Sequence, residues 1–437
     1  MERYEVIVIG AGPAGYPCAI RCAQYGMKVL LVEKDKTGGC CLNTGCIPTK
    51  TLFNIATILK KSKSPGLKGE IGFEWEKVLQ HVKTAVVSRL RSGVEFLLKA
   101  NGVEYVRATA TINQPYSVNL DGKTFETKKI VIATGAKPSI PEIFSKDPRI
   151  ITTDTIWNLE KLPETLAIVG GGPVGCEFAS ILSYFGVKIT IYEMLDSLLP
   201  KRDREIVDIV EKEFTKKGIQ IKTGAKINSA DEISEEKILW AAGRKPEFEP
   251  FAGLGLKVSS TGIDTDTMMK TALPDIYAAG DITGKWQLAY VATRQGEIAA
   301  SNCAGKEETI SYENIPETIF TIPEIACTGL TQQQAESENL KVKIGRFPYT
   351  ALGKAYTKGE TSGMAKVIVD AETEKILGVH IIGENATEII HPACVAMSKG
   401  MTVKELLDAY WSHPTFSEIL MEALSAAEGM PLHIPKR

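Results

Sequence analysis

The stretch Val6-Ile7-Val8-Ile9-Gly10-Ala11-Gly12-Pro13-Ala14-Gly15 decides how this chain is built. Four apolar residues make a buried strand, and the glycines after them make a turn too tight for side chains. Gly10, Gly12 and Gly15 let the backbone approach a pyrophosphate. The helix that starts near Ala14 turns free N–H groups and its positive dipole end toward the same place. A second strand, Val29–Glu33, completes the unit, and Glu33 is placed to accept hydrogen bonds from ribose hydroxyls. The design returns at Leu166-Ala167-Ile168-Val169, followed by Gly170-Gly171-Gly172-Pro173-Val174-Gly175, with Glu193 as its acid. Gly170 follows Gly10, and Glu193 follows Glu33, by the same 160 residues. Two copies on one polypeptide predict two bound dinucleotides.

Bulk properties agree with this. At 437 residues the chain is too long for one core and predicts several domains. Its 44% hydrophobic and 24% charged content is that of a globular protein. A formal charge of −2 gives no electrostatic reason to expect nucleic acid or an anionic membrane as partner. No run approaches the length of a membrane span. The first strand begins by Tyr4, which leaves no room for a signal peptide before the fold. Nine cysteines are too few for a disulfide scaffold and predict a cytoplasmic protein whose thiols are mostly reduced. No metal site is expected.

Residues 75–99 read as an amphipathic helix with Val78, Val82, Val86, Leu90 and Phe96 on its apolar stripe. Residues 102–129 read as a small antiparallel meander, and 129–133 as a strand running into Thr134-Gly135. The proline-bearing stretch 137–162 reads as a linker. Beyond the second glycine turn come a charged helix near 203–217, a strand at 219–222 and a short polar stretch at 224–238. A strand at 275–279 ends in Gly280-Asp281. From about residue 315 alternating strands appear at 364–369 and 376–382. The expected fold is α/β, with two Rossmann-like dinucleotide-binding domains and a separate α+β C-terminal domain.

Gly38-Gly39-Cys40-Cys41-Leu42-Asn43-Thr44-Gly45-Cys46-Ile47-Pro48-Thr49-Lys50 resembles the redox-active segment of the pyridine nucleotide–disulfide oxidoreductases. Ala133-Thr134-Gly135, Gly280-Asp281 and His413-Pro414-Thr415-Phe416-Ser417-Glu418 resemble that family's other flavin and catalytic signatures. The matches run from residue 6 to residue 418, so the resemblance covers nearly the whole chain. Within the family the chain most resembles the members that oxidise lipoyl dithiols. The resemblance implies FAD on residues 1–147 and 272–314, NAD on residues 148–271, and a homodimer interface formed by 315–437.

Cys41 and Cys46 can bridge if the residues between them bend into a helical turn. Pro48 leaves Cys46 near a helix N-terminus, where the dipole favours a thiolate. By resemblance Cys41 exchanges with the substrate dithiol and Cys46 faces the flavin. Cys40 departs from the family, where this neighbour is usually not a thiol; it is either an alternative exchange partner or a bystander. The resemblance makes His413 the acid–base group, acting on the disulfide of the other subunit, and Glu418 the residue that orients its ring. It makes Lys50 the cation beside the flavin and Glu177 its ion-pair partner. Asp281 is expected on flavin hydroxyls, with Ala289 near it and Ala110 near the adenine. Glu193 suits the 2′-hydroxyl of NAD and repels the 2′-phosphate of NADP. Gly243-Arg244 resembles the loop that closes over the nicotinamide dinucleotide.

The implied activity is oxidation of a dihydrolipoamide-type dithiol, free or on a lipoyl-bearing protein, through Cys41–Cys46 and FAD to NAD. Two departures bear on it. Residues 224–238 are too short for the family's β-meander, which predicts weak nicotinamide binding or another acceptor, and Ser412 stands where lipoyl-oxidising members often carry a second histidine. The alternatives are a reductase of glutathione-like, coenzyme A or mercuric substrates, and a non-catalytic flavoprotein sensor or docking subunit with a degraded nicotinamide site.

Overall fold

In the structure, a computed structural model that describes residues Arg3 to Lys436, the apolar run before Gly10 lies in strand Arg3–Ile9. That strand pairs in parallel with Val29–Glu33 on one side and Lys123–Ile132 on the other. The sheet runs Glu104–Arg107, Val29–Glu33, Arg3–Ile9, Lys123–Ile132, Ser117–Leu120, Ala110–Gln114, and Ile276–Ala278 joins it alongside Lys123–Ile132. Both faces are covered, which is why its central strands are continuously apolar. Val6, Val8, Leu31 and Val131 pack under helices with Cys18, Cys22 and Ile298. Ile7, Ile9, Leu30 and Ile132 pack under the meander residues Ile112, Val118, Leu120 and Phe125.

The second glycine turn belongs to a five-stranded parallel sheet in the order Gln220–Lys222, Lys188–Tyr192, Thr165–Val169, Lys237–Trp240, Ile150–Thr152. Between Lys222 and Lys237 no strand intervenes. Ala225, Ile227, Ala230 and Ile233 pack instead with Phe144, Tyr192 and Trp240 as a small apolar cluster. The C-terminal sheet is wholly antiparallel: Glu317–Ile319, Ile325–Gly329, Ile376–Ile382, Met364–Asp370, Val342–Pro348. It is tied to the second unit by Lys366, which is fully buried and donates to both oxygens of Asp203 at 2.9 Å and to Glu205 at 2.7 Å.

Three expectations need correction. Glu104–Arg107 does not belong to the antiparallel meander; it extends the parallel sheet beside Val29–Glu33. The stretch read as a linker contributes strand Ile150–Thr152 to the second sheet, because Ile151 is buried against its core. The helix from Trp75 to Ala100 is wound more widely at His81–Ser88. Its buried residues are therefore Trp75, Leu79, Val82, Val87 and Leu98, with Val82 and Val87 five positions apart, while Leu90 and Phe96 are exposed.

Candidate active site between the two glycine turns

A cavity of about 2470 Å³ runs from the first glycine turn to the second. A drug-sized pocket is roughly 300–1000 Å³, so this one has room for two dinucleotides end to end. Four helices of ten residues or more begin at its wall: Gly15–Gln24, Cys46–Lys61, Pro173–Tyr184 and Ala289–Cys303. None of the four has a side-chain cap on its first N–H groups. Asp203 and Thr402 cap helices away from the cavity, and Thr331 caps a short one at its wall. Uncapped N–H groups opening on a cavity are donors in want of anionic partners.

The two turns are built alike. A Cβ on Gly15 would lie 1.7 Å from the Gly10 carbonyl oxygen, and one on Gly175 would lie 1.9 Å from that of Gly170. These third glycines therefore pack helix against strand and do not line the cavity, whereas Gly10, Gly12, Gly170 and Gly172 do. Glu33 accepts from the N–H of Ala11 and of Asp35, both at 2.8 Å. Glu193 accepts from Gly171 at 2.6 Å and Leu195 at 2.8 Å. Each carboxylate is locked at its strand end, and both residues line the cavity.

Cys41 lies in the short helix Gly39–Asn43, and Cys46 is the first residue of Cys46–Lys61. The loop is held by the N–H groups of Thr44 and Gly45, which donate to the Cys40 carbonyl at 2.9 and 2.7 Å, and by Asn43, which reaches back to Thr37 and Gly39. The bend brings the two sulfurs to bridging distance, and the other seven cysteines stand as free thiols. Cys40 opens on the same cavity. Crowding around its sulfur pushes the thiol above its ordinary value, against the pull of Arg244 and of a hydrogen bond from Thr44.

Lys50 donates to both oxygens of Glu177, at 2.9 and 2.8 Å, and sits 4.5 Å from the Phe320 ring centre. Thr134, Gly135, Gly280, Asp281, Ala289 and Ala110 all line the cavity. Burial raises the Asp281 carboxyl, with Arg244 opposing. Arg244 itself turns inward. Its guanidinium grips Asp154 at 3.0 and 3.2 Å and the Ala136 carbonyl at 2.7 Å, so it is anchored to protein on the wall of the cavity beside Gly243. Arg244 Nε and Asn43 Oδ1 are buried without a protein partner. These orphans, the uncapped helix starts and the paired carboxylates fit two dinucleotides.

His413 and Glu418 do not line this cavity. The His413 ring, three-quarters exposed, is held by Glu418 at 2.8 Å through Nδ1, while Glu418 also accepts from the Thr415 N–H at 2.7 Å. One chain therefore carries an oriented imidazole and a cysteine pair that it does not bring together. Sequence reading missed Asp154, Trp157 and Phe320 on the cavity wall. No motif announces them; only their placement does.

Residues 4–296 match the model of the pyridine nucleotide-disulphide oxidoreductases, and residues 315–424 match the dimerisation domain of the same group. The chain belongs to this family: it is a flavoprotein disulfide oxidoreductase that uses FAD and NAD, and it carries a dimerisation domain. It is 36% identical to a dihydrolipoyl dehydrogenase of Chlamydia pneumoniae, covering 100% of this chain and 99% of the relative. It is 37% identical to a dihydrolipoyl dehydrogenase of Thermus scotoductus, covering all of both chains. Both alignments run over more positions than this chain has residues, so the relatives carry insertions that it lacks. Among solved structures, the HOCl-induced flavoprotein disulfide reductase RclA of Escherichia coli superposes with a TM-score of 0.89 at 28% identity. That match covers 97% of this chain and 99% of the other. Among the described residues no helix is long and apolar enough to cross a membrane.

Proposed function

We propose that this protein oxidises dihydrolipoyl-type dithiols, carried on a lipoyl-bearing protein or free, and passes the reducing equivalents to NAD. The observation that carries the reading is the facing pair Cys41 and Cys46 at a helix start, inside one cavity that both glycine turns share. In this reading residues 1–147 and 272–314 hold FAD through Gly10, Gly12, Glu33, Lys50, Asp281 and their neighbours. Residues 148–271 hold NAD through Gly170, Gly172 and Glu193, and 315–437 form the interface of a homodimer. The His413 ring, exposed and absent from its own chain's cavity, then serves the cysteines of the second copy. The unbridged thiols outside the pair support a cytoplasmic setting.

When bound, the flavin supplies a two-electron relay between dithiol and nicotinamide. The chain's own residues carry out thiol–disulfide exchange. His413 Nε2, left free because Nδ1 is held by Glu418, takes the proton of one substrate thiol. The thiolate attacks Cys41 Sγ, the Cys41–Cys46 bond breaks, and its electron pair stays on Cys46. The second substrate thiol attacks the substrate sulfur of the mixed disulfide, closing a cyclic disulfide, and its proton passes to the departing Cys41. One proton remains on His413, and Cys46, at the positive end of its helix, remains a thiolate. Lys50, held in place by both oxygens of Glu177, would set its cation beside the flavin ring.

Steady-state turnover with dihydrolipoamide, NAD against NADP, tests this. NAD should support turnover and NADP should not. Cys46→Ser should lower dithiol oxidation at least about 1000-fold while flavin stays bound. Turnover surviving in that variant would refute the assignment. A reductase that runs mainly toward dithiol formation would show the reverse ratio of rates.

A further inference from the structure

Thr44 sits between the two cysteines, and contacts from residues more than one hundred positions away converge on it. The Trp157 indole N–H donates to the Thr44 carbonyl at 2.8 Å and to the Thr153 carbonyl at 3.0 Å. The Thr44 hydroxyl donates to Asp154 Oδ1 at 3.3 Å, and the Cys40 thiol points at the same oxygen from 3.7 Å. Arg244 closes on the same carboxylate, Nη1 donating to Oδ1 at 3.0 Å and Nη2 to Oδ2 at 3.2 Å. Trp157 is buried, with its ring centre 6.4 Å from that of Phe178 in the second dinucleotide unit.

We propose that Asp154 and Trp157 are positioning residues for the Cys41–Cys46 pair, fastening the loop between the cysteines to the segment that enters the second dinucleotide unit. The proposal rests on Cys41 and Cys46 being the redox couple. A disulfide forms readily only where the backbone presents both sulfurs in a narrow geometry. The four residues between these cysteines are tethered at Thr44 through both its carbonyl and its hydroxyl. With the tether cut, the reduced loop relaxes and the sulfurs meet less often, so the bridge is less favoured. Charge acts in the same direction. Asp154 is an anion beside the redox loop, 3.7 Å from the Cys40 sulfur, and it occupies the guanidinium of Arg244. Neutralising it leaves a cation facing the loop, which favours thiolates and hence the reduced state. Arg244 stands four residues beyond Trp240, the last residue of a strand in the second sheet, so the same carboxylate links that sheet to the redox loop.

The test is a thiol–disulfide equilibrium on the FAD-loaded protein. The protein is equilibrated with mixtures of reduced and oxidised dithiothreitol, quenched in acid, alkylated and weighed. The bridge accepts two electrons and two protons as dithiothreitol closes to its cyclic disulfide. Asp154→Asn should shift the equilibrium about tenfold toward the dithiol, roughly 30 mV for a two-electron couple. Thr44→Val and Trp157→Phe, which leave the Asp154–Arg244 pair intact, should move it less and in the same direction. Folded variants that all retain the wild-type equilibrium within about twofold would overturn the proposal and leave the redox reading standing. Should Asp154→Asn fail to fold, the other two variants decide the matter. A wild-type protein in which Cys41 and Cys46 do not titrate together would remove both readings.

Discussion

At the first glycine turn, the redox loop presses down on the backbone; at the second, the segment carrying Leu198 and Leu199 does. A Cβ on Gly39 would come within 2.6 Å of the Gly12 Cα, and one on Gly171 within 2.5 Å of the Leu198 side chain, while the Leu199 N–H donates to the Gly171 carbonyl at 3.0 Å. The face of the first sheet under its turn is roofed by an antiparallel meander, and that of the second by a short polar stretch with a few apolar anchors. Yet the turns themselves are near copies, down to the acid that accepts from the N–H just after the first glycine. Strand, glycine turn and acid follow from local backbone physics and come out the same twice. What lies over each turn is set by neighbours far along the chain, and it differs between two turns whose strands and glycines do not.

The sharpest way to break this comparison is to spoil each turn in the same manner. Gly15→Val and Gly175→Val both force a side chain into a carbonyl oxygen, a clash of the kind that costs more than about 4 kcal/mol. Gly15→Val should yield protein without flavin, read from its visible absorbance. Gly175→Val should keep its flavin and still accept electrons from dithiol, but lose NAD-dependent turnover by about 100-fold or more. Identical phenotypes would show that the two turns do not serve separate cofactors.

A smaller effect is expected at the acids. Charge-assisted hydrogen bonds contribute roughly 1.5–3 kcal/mol, or about ten- to a hundredfold in affinity. Glu193→Gln should raise KM for NAD by about tenfold and narrow the preference over NADP, with flavin retention unchanged. Glu33→Gln should instead speed flavin release and leave KM for NAD alone.

The smallest effect concerns Asp281, whose carboxyl burial raises above the usual range while Arg244 pulls it back. Because its folded pKa exceeds its unfolded value, the ionised form destabilises the fold. That destabilisation is complete above the folded pKa and fades as pH falls through it. Flavin-free Asp281→Asn should thus unfold at a slightly higher temperature than wild type near neutral pH, and the gap should close in acid. Flavin itself should bind the variant more weakly. A variant less stable than wild type at neutral pH would show that Asp281 holds the fold together without its cofactor.

What could be read along the chain was whatever repeats at short range: Val6 to Ile9 before their glycines, Glu33 and Glu193 at the strand ends, and the cysteines about a helix start. Spacing of this sort is fixed by rise per residue and by hydrogen-bond geometry, so it survives without knowledge of the rest of the fold. The helix at 75–99 was legible as a helix, but its buried face was not, because the wider winding at His81–Ser88 shifts which residues look inward. The strand Ile150–Thr152 was hidden among prolines, since three residues are too few to show a period.

By itself, the sequence determined two dinucleotide turns, their acids and a bendable pair of cysteines, because each is a local arrangement of neighbouring residues. Only the tertiary structure decided that Lys50 meets Glu177 across 127 residues and that Trp157 holds Thr44 across 113. It likewise decided that His413 stands apart from the cysteines of its own chain. Contacts between residues so far apart depend on how whole sheets dock, and no short stretch of chain contains that information.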